Sequence, residues 1–306
     1  MTVRRLFCVG MGYTARALAR RLMARGWRVA GTTRSPEQAA ALRADGIEAH
    51  LFDRDRPLQD PEAALAGTTD VLVSLPPDAG PGSGEGGEGD AMLDQHKDAV
   101  LRLGESLRWI GYLSTTGVYG DRAGGLVDEE SSLKPSHARG RRRVAAEQAW
   151  LRLWSEQGQP VHIFRLAGIY GPGRSALDAV RKGTARRIDK PEQKFSRIHV
   201  EDIAQVLEAS MHRPHPGRIY NVCDDEPAAP ADVTAYACEL LGVKPPPLTT
   251  LEAAQLSEMA KSFWQDSKRV SNRRMREELG VMLAYPDYRS GLRAVLEAET
   301  RAARSS

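Results

Sequence analysis

Three small residues near the N-terminus have the spacing of a phosphate-binding turn. Gly10, Gly12 and Ala15 form the pattern GxGxxA. In such a turn the first glycine permits a tight bend, the second lets a pyrophosphate approach the backbone, and the third small residue lets a helix pack closely on a strand. The N–H groups at the helix start favour the same anion. We therefore expect a dinucleotide to be held by Gly10, Gly12, Tyr13, Thr14 and Ala15. The alternative is a strand-turn-helix that binds no ligand.

The residues that end the second predicted strand bear on the choice between NAD and NADP. An NAD site normally carries an Asp or Glu there for the ribose 2′-hydroxyl, whereas an NADP site carries an arginine for the 2′-phosphate. This chain has Thr32, Thr33 and Arg34 at that point, and no acid. The pattern therefore favours NADP, with NAD as the weaker candidate. The alternative is that Arg34 is a solvated loop residue.

Alternating strand and helix patterns surround these residues. Residues 6–9 are apolar, helical spacing follows from Ala15 to Met23, and Gly26 stops the helix before a second strand at 27–31. An almost wholly apolar strand, such as 70–75, indicates a parallel sheet that is covered on both faces. The same alternation predicts helices at 36–44, 91–107 and 136–156, and strands at 47–52, 70–75, 109–114 and 161–167.

One segment of the first half fits no helix or strand pattern, and the order of helices and strands changes in the second half. Residues 79–89 are rich in glycine and too polar to bury, so we expect either a lid beside the cofactor or a surface insertion. Beyond Gly173 the remaining residues are mostly helical and are interrupted by prolines. The predicted elements there are a helix at 175–187, an extended segment at 195–199, a helix at 201–211 and a short strand at 219–223.

Composition argues against several classes of protein. The 306 residues include 43 Lys and Arg and 40 Asp and Glu, and no basic stripe is interleaved with aromatic residues, so nucleic-acid binding has little support. A small anionic ligand suits the net charge of +3 better.

The three cysteines and the N-terminus bear on the compartment. Cys8, Cys223 and Cys238 lack metal-ligand spacing and resemble buried thiols of a reducing compartment. The N-terminal apolar run is too short for a signal peptide, and we expect a cytoplasmic protein with no membrane span.

Several further motifs follow one another along the chain. With the glycine turn and Asp53, they resemble the extended short-chain dehydrogenase/reductase family, the NAD(P)-dependent epimerase/dehydratase group. The resemblance implies an α/β Rossmann fold with a doubly wound parallel sheet and a smaller C-terminal substrate lobe, and it makes Asp53 an adenine contact. The motifs are Leu113-Ser114-Thr115-Thr116-Gly117-Val118-Tyr119-Gly120, Phe164-Arg165-Leu166, Tyr170-Gly171-Pro172-Gly173, Ile198-His199-Val200-Glu201-Asp202 and Tyr220-Asn221-Val222.

The resemblance also implies a division into domains. The Rossmann domain would comprise residues 1–173, with residues 195–222 returning to it. The substrate lobe would comprise residues 174–194 and 223–306. The lobe carries no motif that identifies a substrate. We expect a small molecule, and an anionic one would suit the basic residues of the chain.

The resemblance identifies the catalytic positions, and two of them carry unexpected residues. The family has a Ser or Thr four residues before the tyrosine of its V-Y-G signature, which here is Thr115; the alternative is a strand-end threonine bonded to the backbone. The family's Tyr-x-x-x-Lys pair falls on Arg139 and Arg143. That tyrosine transfers a proton while hydride moves, and the lysine lowers its pKa. Because arginine stays protonated, Arg139 and Arg143 can bind an anion or face water but cannot act as a general base.

The chain therefore resembles an atypical, YeeZ-like subgroup of the family. Thr116 and Gly117 replace the Asp-Glu pair of sugar-nucleotide dehydratases, which argues against that chemistry. Tyr119 is a candidate for the lost phenol, with a structural role as the alternative, and we expect His199 to be structural because no nucleophile motif lies nearby.

Two functions remain open at this point. We predict an NAD(P)-dependent oxidoreductase or epimerase-like enzyme that acts on a small molecule as a monomer or homodimer, with no metal, nucleic-acid or membrane partner. The alternative is a catalytically inert NADP(H)-binding sensor or scaffold protein. An inert protein would bind the nucleotide without turning it over, whereas an enzyme would consume NADPH with at least one substrate.

Overall fold

The largest sheet among the described residues has seven strands and is flanked by helices. The computed structural model describes residues 3–77, 89–254, 256 and 264–305. The strands are, in chain order, β1 (Arg5–Val9), β2 (Arg28–Thr33), β3 (Glu48–Leu51), β4 (Asp70–Val73), β5 (Trp109–Thr115), β6 (Leu126–Val127), β7 (Val161–Leu166), β8 (Gly168–Tyr170), β9 (Arg187–Ile188), β10 (Arg197–His199), β11 (Ile219–Val222), β12 (Leu248–Thr249) and β13 (Arg269–Val270). The helices are α1 (Tyr13–Met23), α2 (Pro36–Ala44), α3 (Pro61–Leu65), α4 (Ala91–Leu101), α5 (Ala138–Gln157), α6 (Ala176–Arg181), α7 (Val200–His212), α8 (Pro230–Leu240), α9 (Arg273–Leu279) and α10 (Tyr288–Ser305).

The order of the strands explains where a ligand can bind. The large sheet has the order β11-β7-β5-β4-β1-β2-β3, and the pairs β1–β2, β2–β3, β1–β4 and β4–β5 are parallel. The chain leaves β1 toward β3 and then returns to the other side of β1 through β4. In such sheets a crevice opens at the carboxyl ends of the strands where the order reverses. The predicted fold class, a doubly wound Rossmann sheet, is confirmed.

Local signals account for most helix boundaries. Helix α2 begins after Ser35, whose Oγ accepts a hydrogen bond from the Gln38 backbone N–H (3.2 Å), and Pro36 occupies the first turn. Its bounds agree with the prediction at 36–44. Helix α3, after the cap residue Asp60, was not predicted. Its N-cap and the following proline were the local signals for it.

Two predicted helices are shorter than expected, and glycines in the left-handed region lie where they break. The helix predicted at 175–187 ends at Arg181, and Gly183 has a φ of +66°. The helix predicted at 91–107 ends at Leu101, and a short 3-10 helix begins at Gly104, which has a φ of +50°. Left-handed backbone cannot continue an α-helix. The prediction for 79–89 lies outside the described residues, apart from Gly89.

Two compact units can be distinguished among the described residues, and each has its own apolar core. Unit 1 packs residues such as Phe7, Tyr112 and Trp150 around the sheet, and unit 2 packs Tyr170 and Leu292 with their neighbours. The domain boundaries predicted from the sequence stay a prediction. None of the helices in the described part of the chain is long and apolar enough to cross a membrane. Unit 1 comprises the described residues within Met1–Val118, Ala138–Arg165 and Ile203–Tyr220, and unit 2 those within Tyr119–His137, Leu166–Asp202 and Asn221–Ser306.

Candidate cofactor and catalytic site

The glycine turn after β1 is tied to the neighbouring strand. Gly10 has a φ of +92°, a conformation that side chains other than glycine rarely adopt. Its backbone N–H donates to Oγ1 of Thr32 (2.8 Å), and the N–H of Met11 donates to the carbonyl oxygen of the same threonine (2.8 Å). The bend is therefore held by two hydrogen bonds to β2 within unit 1.

The start of α1 is open above this turn. Gly12 is the N-cap residue, no side chain among the described residues caps the helix, and its first turn contains no acid. A Cβ built on Gly12 would meet only the Ser74 Oγ, at 3.9 Å. A helix start without a side-chain cap favours an anion, because the helix dipole places partial positive charge there. These residues fit the pyrophosphate of a dinucleotide.

Gly31 in the middle of β2 is a site residue that sequence reasoning missed. A Cβ at this position would lie 2.6 Å from Cγ of Met11 and 2.8 Å from the carbonyl oxygen of Cys8. Both distances are too short for real contacts, so only glycine lets the turn pack on β2. A glycine inside a strand pattern was the signal for this close approach.

Two arginines and one carboxylate lie where the adenosine end of a dinucleotide is expected. The Arg34 side chain is exposed and makes no polar contact with the described residues. Nη2 of Arg56 donates to the carbonyl oxygen of Arg34 (2.7 Å) and to Oδ2 of Asp53 (3.0 Å). Asp53 also accepts from the Asp55 N–H (3.0 Å). Although partial burial opposes it, these hydrogen bonds hold the pKa of Asp53 below its usual value, so Asp53 is ionised at neutral pH.

Arg56 could not have been assigned to this site from the sequence. It lies 22 residues beyond Arg34, after a different strand, and no short motif joins the two positions. The bend from Asp53 to Arg56 brings them together, because these two residues exchange backbone hydrogen bonds of 3.0 and 3.2 Å. The result is a second guanidinium group at the carboxyl end of β2.

Thr115 lies at the end of β5 in unit 1. It is half-buried, and its Oγ1 accepts a hydrogen bond from the Gly117 N–H (3.1 Å). This contact agrees with the alternative that the Thr115 hydroxyl is bonded to the backbone. The hydroxyl oxygen only accepts in this bond. The hydroxyl hydrogen can still be donated to a ligand. A catalytic role for Thr115 stays a prediction.

Tyr119 belongs to unit 2 and is fully buried there. Its hydroxyl donates to Oδ1 of Asn221 (2.7 Å). A buried phenol that is already committed to an amide oxygen supports the structural interpretation of this residue. Its catalytic role stays a prediction.

The two arginines of α5 differ in their surroundings. Nη1 of Arg143 donates to the carbonyl oxygen of Leu113 (2.8 Å) and to the Tyr112 hydroxyl (3.1 Å). Arg143 therefore joins the start of α5 to the end of β5, two residues before Thr115. Arg139, one turn earlier, is exposed and makes no polar contact with the described residues. Burial raises the pKa of Tyr112 far above its usual value, so its hydroxyl stays protonated near neutral pH.

A buried ion pair supports this part of the site. Nη2 of Arg165 on β7 donates to Oε2 of Glu147 on α5 (2.8 Å), and the Ser114 hydroxyl donates to the other carboxylate oxygen. The Arg165 and Glu147 side chains are almost completely buried. Ser114 precedes Thr115, and Glu147 lies one turn after Arg143, so the network fixes α5 against β5. The sequence analysis placed Ser114 and Arg165 in motifs and did not reveal that both meet Glu147.

We expect Ser114→Ala to weaken this network without removing it. Loss of one hydrogen bond to a charged group should lower the free energy of unfolding by about 1.5–3 kcal/mol, because Arg165 still pairs with Glu147. Urea denaturation monitored by circular dichroism measures the change. Ser155→Ala, at an exposed position on α5, is the matched control. Equal effects of the two substitutions would contradict a supporting role for Ser114.

His199 in unit 2 has the structural surroundings expected from the sequence. Its Nδ1 accepts from the Glu201 N–H (3.3 Å), and its ring contacts Tyr170 and Tyr285. Burial lowers the pKa of His199 to about 4, which keeps the ring neutral. The Asp202 carboxylate accepts the N–H groups of residues 284 and 285 and does not bond the histidine in this arrangement.

Comparisons with known proteins agree with this geometry. The model of the family described as NAD dependent epimerase/dehydratase matches residues 9–223. Protein YeeZ of Escherichia coli (strain K12) is 30% identical over 292 residues, which cover 93% of this chain and 97% of YeeZ. A functionally unknown conserved protein from Silicibacter pomeroyi DSS is 50% identical and has a TM-score of 0.86, with 97% of this chain and 99% of that chain covered.

A more distant structure shares the fold. The dTDP-glucose 4,6-dehydratase of Bacillus anthracis str. Ames, solved in complex with NAD, is 14% identical and has a TM-score of 0.73. The alignment covers 98% of this chain and 97% of that chain. At that identity the likeness concerns the fold alone. The family model, in contrast, spans more than half of the chain and includes the glycine turn, the end of β5 and the start of β11. This chain belongs to the NAD dependent epimerase/dehydratase family.

Proposed function

We propose that this protein is an NADP(H)-dependent oxidoreductase or epimerase-like enzyme with a weakened acid–base centre. The observation that carries the proposal is the uncapped start of α1 above an open glycine turn, with Arg34 at the end of the adjoining strand. The open turn supports binding of a pyrophosphate, and the arginine supports a preference for a 2′-phosphate.

The preference for NADP is further supported by Arg56. Its guanidinium group is fixed to the Arg34 carbonyl oxygen, so two positive charges adjoin the expected position of the 2′-phosphate. Arg56 shares its charge with Asp53, whereas Arg34 has no acidic partner among the described residues. We therefore assign the larger share of the preference to Arg34. Planar guanidinium groups also suit the geometry of a phosphate.

We expect NADPH to bind more tightly than NADH, and Arg34→Ala to remove most of the difference. A charge-assisted contact of about 1.5–3 kcal/mol corresponds to roughly a ten- to hundredfold ratio of dissociation constants. Fluorescence titration with each nucleotide measures the ratio. Arg28→Ala, at the exposed opposite end of β2, is the matched control and should leave the ratio unchanged. Equal dissociation constants for the two nucleotides in the native protein would contradict the preference.

The chemistry of the remaining residues is limited but not absent. A nicotinamide nucleotide held by the glycine turn would supply or accept the hydride. The Thr115 hydroxyl is able to donate a hydrogen bond to a substrate oxygen, and Arg143 carries a permanent positive charge close to the end of β5. Neither Arg139 nor Arg143 can release a proton at neutral pH. The proton must then come from water, the substrate or another residue, and the absence of a general acid–base lowers a rate by about 10²- to 10⁴-fold.

The second candidate function is a catalytically inert protein that binds NADP(H) as a sensor or scaffold. It is supported by the resemblance, which implies that Arg139 and Arg143 stand at the positions of the family's tyrosine and lysine. The two candidates differ in one measurement, the consumption of NADPH with a panel of reactive carbonyl compounds. Consumption with at least one of them supports the enzyme, and tight binding without any consumption supports the inert protein.

The expected substrate is a small molecule, and the basic run at 139–143 suits an anionic one. A cytoplasmic location, a monomeric or homodimeric state and the lack of nucleic-acid and membrane partners belong to the same proposal. The reducing environment expected from three buried, unpaired cysteines supports the location.

A further inference from the structure

Helix α4 contacts the loop that joins β3 to α3, residues 52–60. This loop carries Asp53 and Arg56, which lie where the adenosine end of the cofactor is expected. Both the loop and α4 belong to unit 1. The contacts come from three consecutive residues of the helix, Asp94, Gln95 and His96.

His96 makes the most deeply buried of these contacts. The Leu58 backbone N–H donates to Nε2 of His96 (2.9 Å), and both residues are buried. Burial lowers the pKa of His96 below its usual value, so the ring is neutral near neutral pH and Nε2 can accept this bond. The ring also contacts Phe52, with 5.6 Å between the ring centroids. His96 therefore contacts the loop on both sides of the segment from Asp53 to Arg56.

Gln95 and Asp94 hold the middle of the loop. Nε2 of Gln95 donates to the carbonyl oxygen of Arg54 (2.6 Å), the residue that follows Asp53. The Arg54 guanidinium group in turn pairs with the Asp94 carboxylate. The bend between Asp53 and Arg56 is thus fixed by α4 as well as by its own backbone hydrogen bonds.

The backbone of α4 departs from helical geometry at the residue that makes the buried contact. His96 has φ −136° and ψ +22°. The helix contains no proline or glycine that would explain an irregular turn. A tertiary contact can override the local preference for a helix, and the bond from Leu58 to the His96 ring supplies such a contact here.

We infer that α4 positions the adenosine end of the cofactor through this loop, with His96 and Gln95 as the residues that hold Asp53 and Arg56 in place. The inference rests on the proposed function and deepens it, because it names residues outside the site that set the affinity for NADP(H). His96 and Gln95 are positioning residues, and they act through the loop.

The strength of the contacts limits the size of the effect. A nucleotide that binds the ordered loop must restore that order when a contact is lost, so the affinity falls by no more than the contact contributes. One uncharged hydrogen bond corresponds to roughly a two- to tenfold change in a dissociation constant. NADPH should lose more affinity than NADH, because Arg56 is assigned to the 2′-phosphate, which NADH lacks.

Two substitutions of His96 separate the hydrogen bond from the packing of the ring. His96→Phe keeps an aromatic ring beside Phe52 and removes the acceptor, so the dissociation constant of NADPH should rise roughly two- to tenfold and that of NADH should rise less. His96→Gln supplies an amide oxygen that can accept the Leu58 N–H, and it should restore most of the affinity. Fluorescence titration measures both constants, and circular dichroism checks the fold. His212→Phe, at a largely exposed position at the end of α7, is the matched control and should change neither constant.

A double-mutant cycle shows whether His96 acts through Arg56. In an Arg56→Ala background, His96→Phe should no longer weaken NADPH binding more than NADH binding. A general loss of stability would weaken NADPH binding equally in both backgrounds, and that outcome would overturn the inference.

Gln95→Ala tests the second contact without altering the buried ring. It removes the bond to the Arg54 carbonyl oxygen and should repeat the effect of His96→Phe on the two nucleotides. Gln157→Ala, at the exposed end of α5, is the control. Equal effects of these two glutamine substitutions would overturn the role of Gln95.

Hydrogen–deuterium exchange without nucleotide tests the contacts themselves. Mass spectrometry of peptides that cover residues 52–60 should show faster exchange in His96→Phe and Gln95→Ala than in the native protein. The rate in His96→Gln should stay close to the native one. Equal exchange in all four proteins would overturn the inference, because the loop would then be ordered without α4.

The measurements separate this inference from the proposed function. A native preference for NADPH that His96→Phe and Gln95→Ala leave unchanged would overturn the inference and leave the proposed function intact. A native protein that binds neither nucleotide would contradict the proposed function and, with it, the role of the loop in cofactor binding.

Discussion

Replacement of Gly12 by valine is expected to abolish cofactor binding while the protein remains folded. The pyrophosphate should approach the backbone at this glycine, and a valine side chain would fill that space. Loss of two charge-assisted hydrogen bonds of about 1.5–3 kcal/mol each corresponds to roughly a 10²- to 10⁴-fold weaker affinity for NADPH and NADH alike.

The structure gives a physical reason to expect an intact fold in this variant. Gly12 has φ −81° and ψ −168°, which valine can adopt, and the added Cβ would meet only Ser74 Oγ at 3.9 Å. Calorimetric titration measures the affinity, and circular dichroism checks the fold. Ala63→Val, on the exposed face of α3, is the matched control for the added side chain. Unchanged affinity in a folded Gly12→Val variant would show that the nucleotide binds elsewhere.

Simultaneous replacement of Arg139 by tyrosine and Arg143 by lysine is expected to increase hydride transfer. If Arg139 and Arg143 occupy the family's catalytic positions, as we propose, the tyrosine would supply a proton donor, and the lysine would lower its pKa and bind ribose hydroxyls. Because a general acid–base typically contributes about 10²- to 10⁴-fold, we expect a gain in that range if the rest of the site is intact.

The surroundings of the two positions make this substitution testable. Arg139 is exposed, so a tyrosine there displaces no core residue, and a lysine at position 143 can still donate to the Leu113 carbonyl oxygen. The single variant Arg139→Tyr should gain less, because the new phenol keeps a high pKa. Arg141→Tyr combined with Arg143→Lys is the matched control, since Arg141 is exposed on the same turn of α5 but faces a different direction.

The assay is NADPH consumption at 340 nm with a reactive carbonyl compound over a series of pH values. A gain confined to the Arg139→Tyr and Arg143→Lys pair, with a pH profile set by the new phenol, is the expected outcome. Fast native turnover that depends on Tyr119 would contradict the assigned positions. Tight NADPH binding without any gain in the double variant would favour the inert sensor or scaffold.

The fold and the cofactor turn could largely be predicted from the sequence, because both depend on local patterns. Apolar strands and helical spacing repeat within a few residues, and Ser35 with Pro36 marks the start of α2 at the predicted residue. The glycine turn needs no distant partner to be recognised. Predictions were weaker where a single glycine decides the backbone, as at Gly183, which follows a helix shorter than predicted.

The sequence by itself determined the family, the turn and the absence of a titrating side chain at positions 139 and 143. Only the tertiary structure decided which side chains support them. Arg56 contacts the carbonyl of Arg34, and Arg165 pairs with Glu147. These groups are 18 or more residues apart and lie on different elements, so no local periodicity links them. Long-range charge pairing depends on which elements the folded sheet brings together and on how far it excludes water from them.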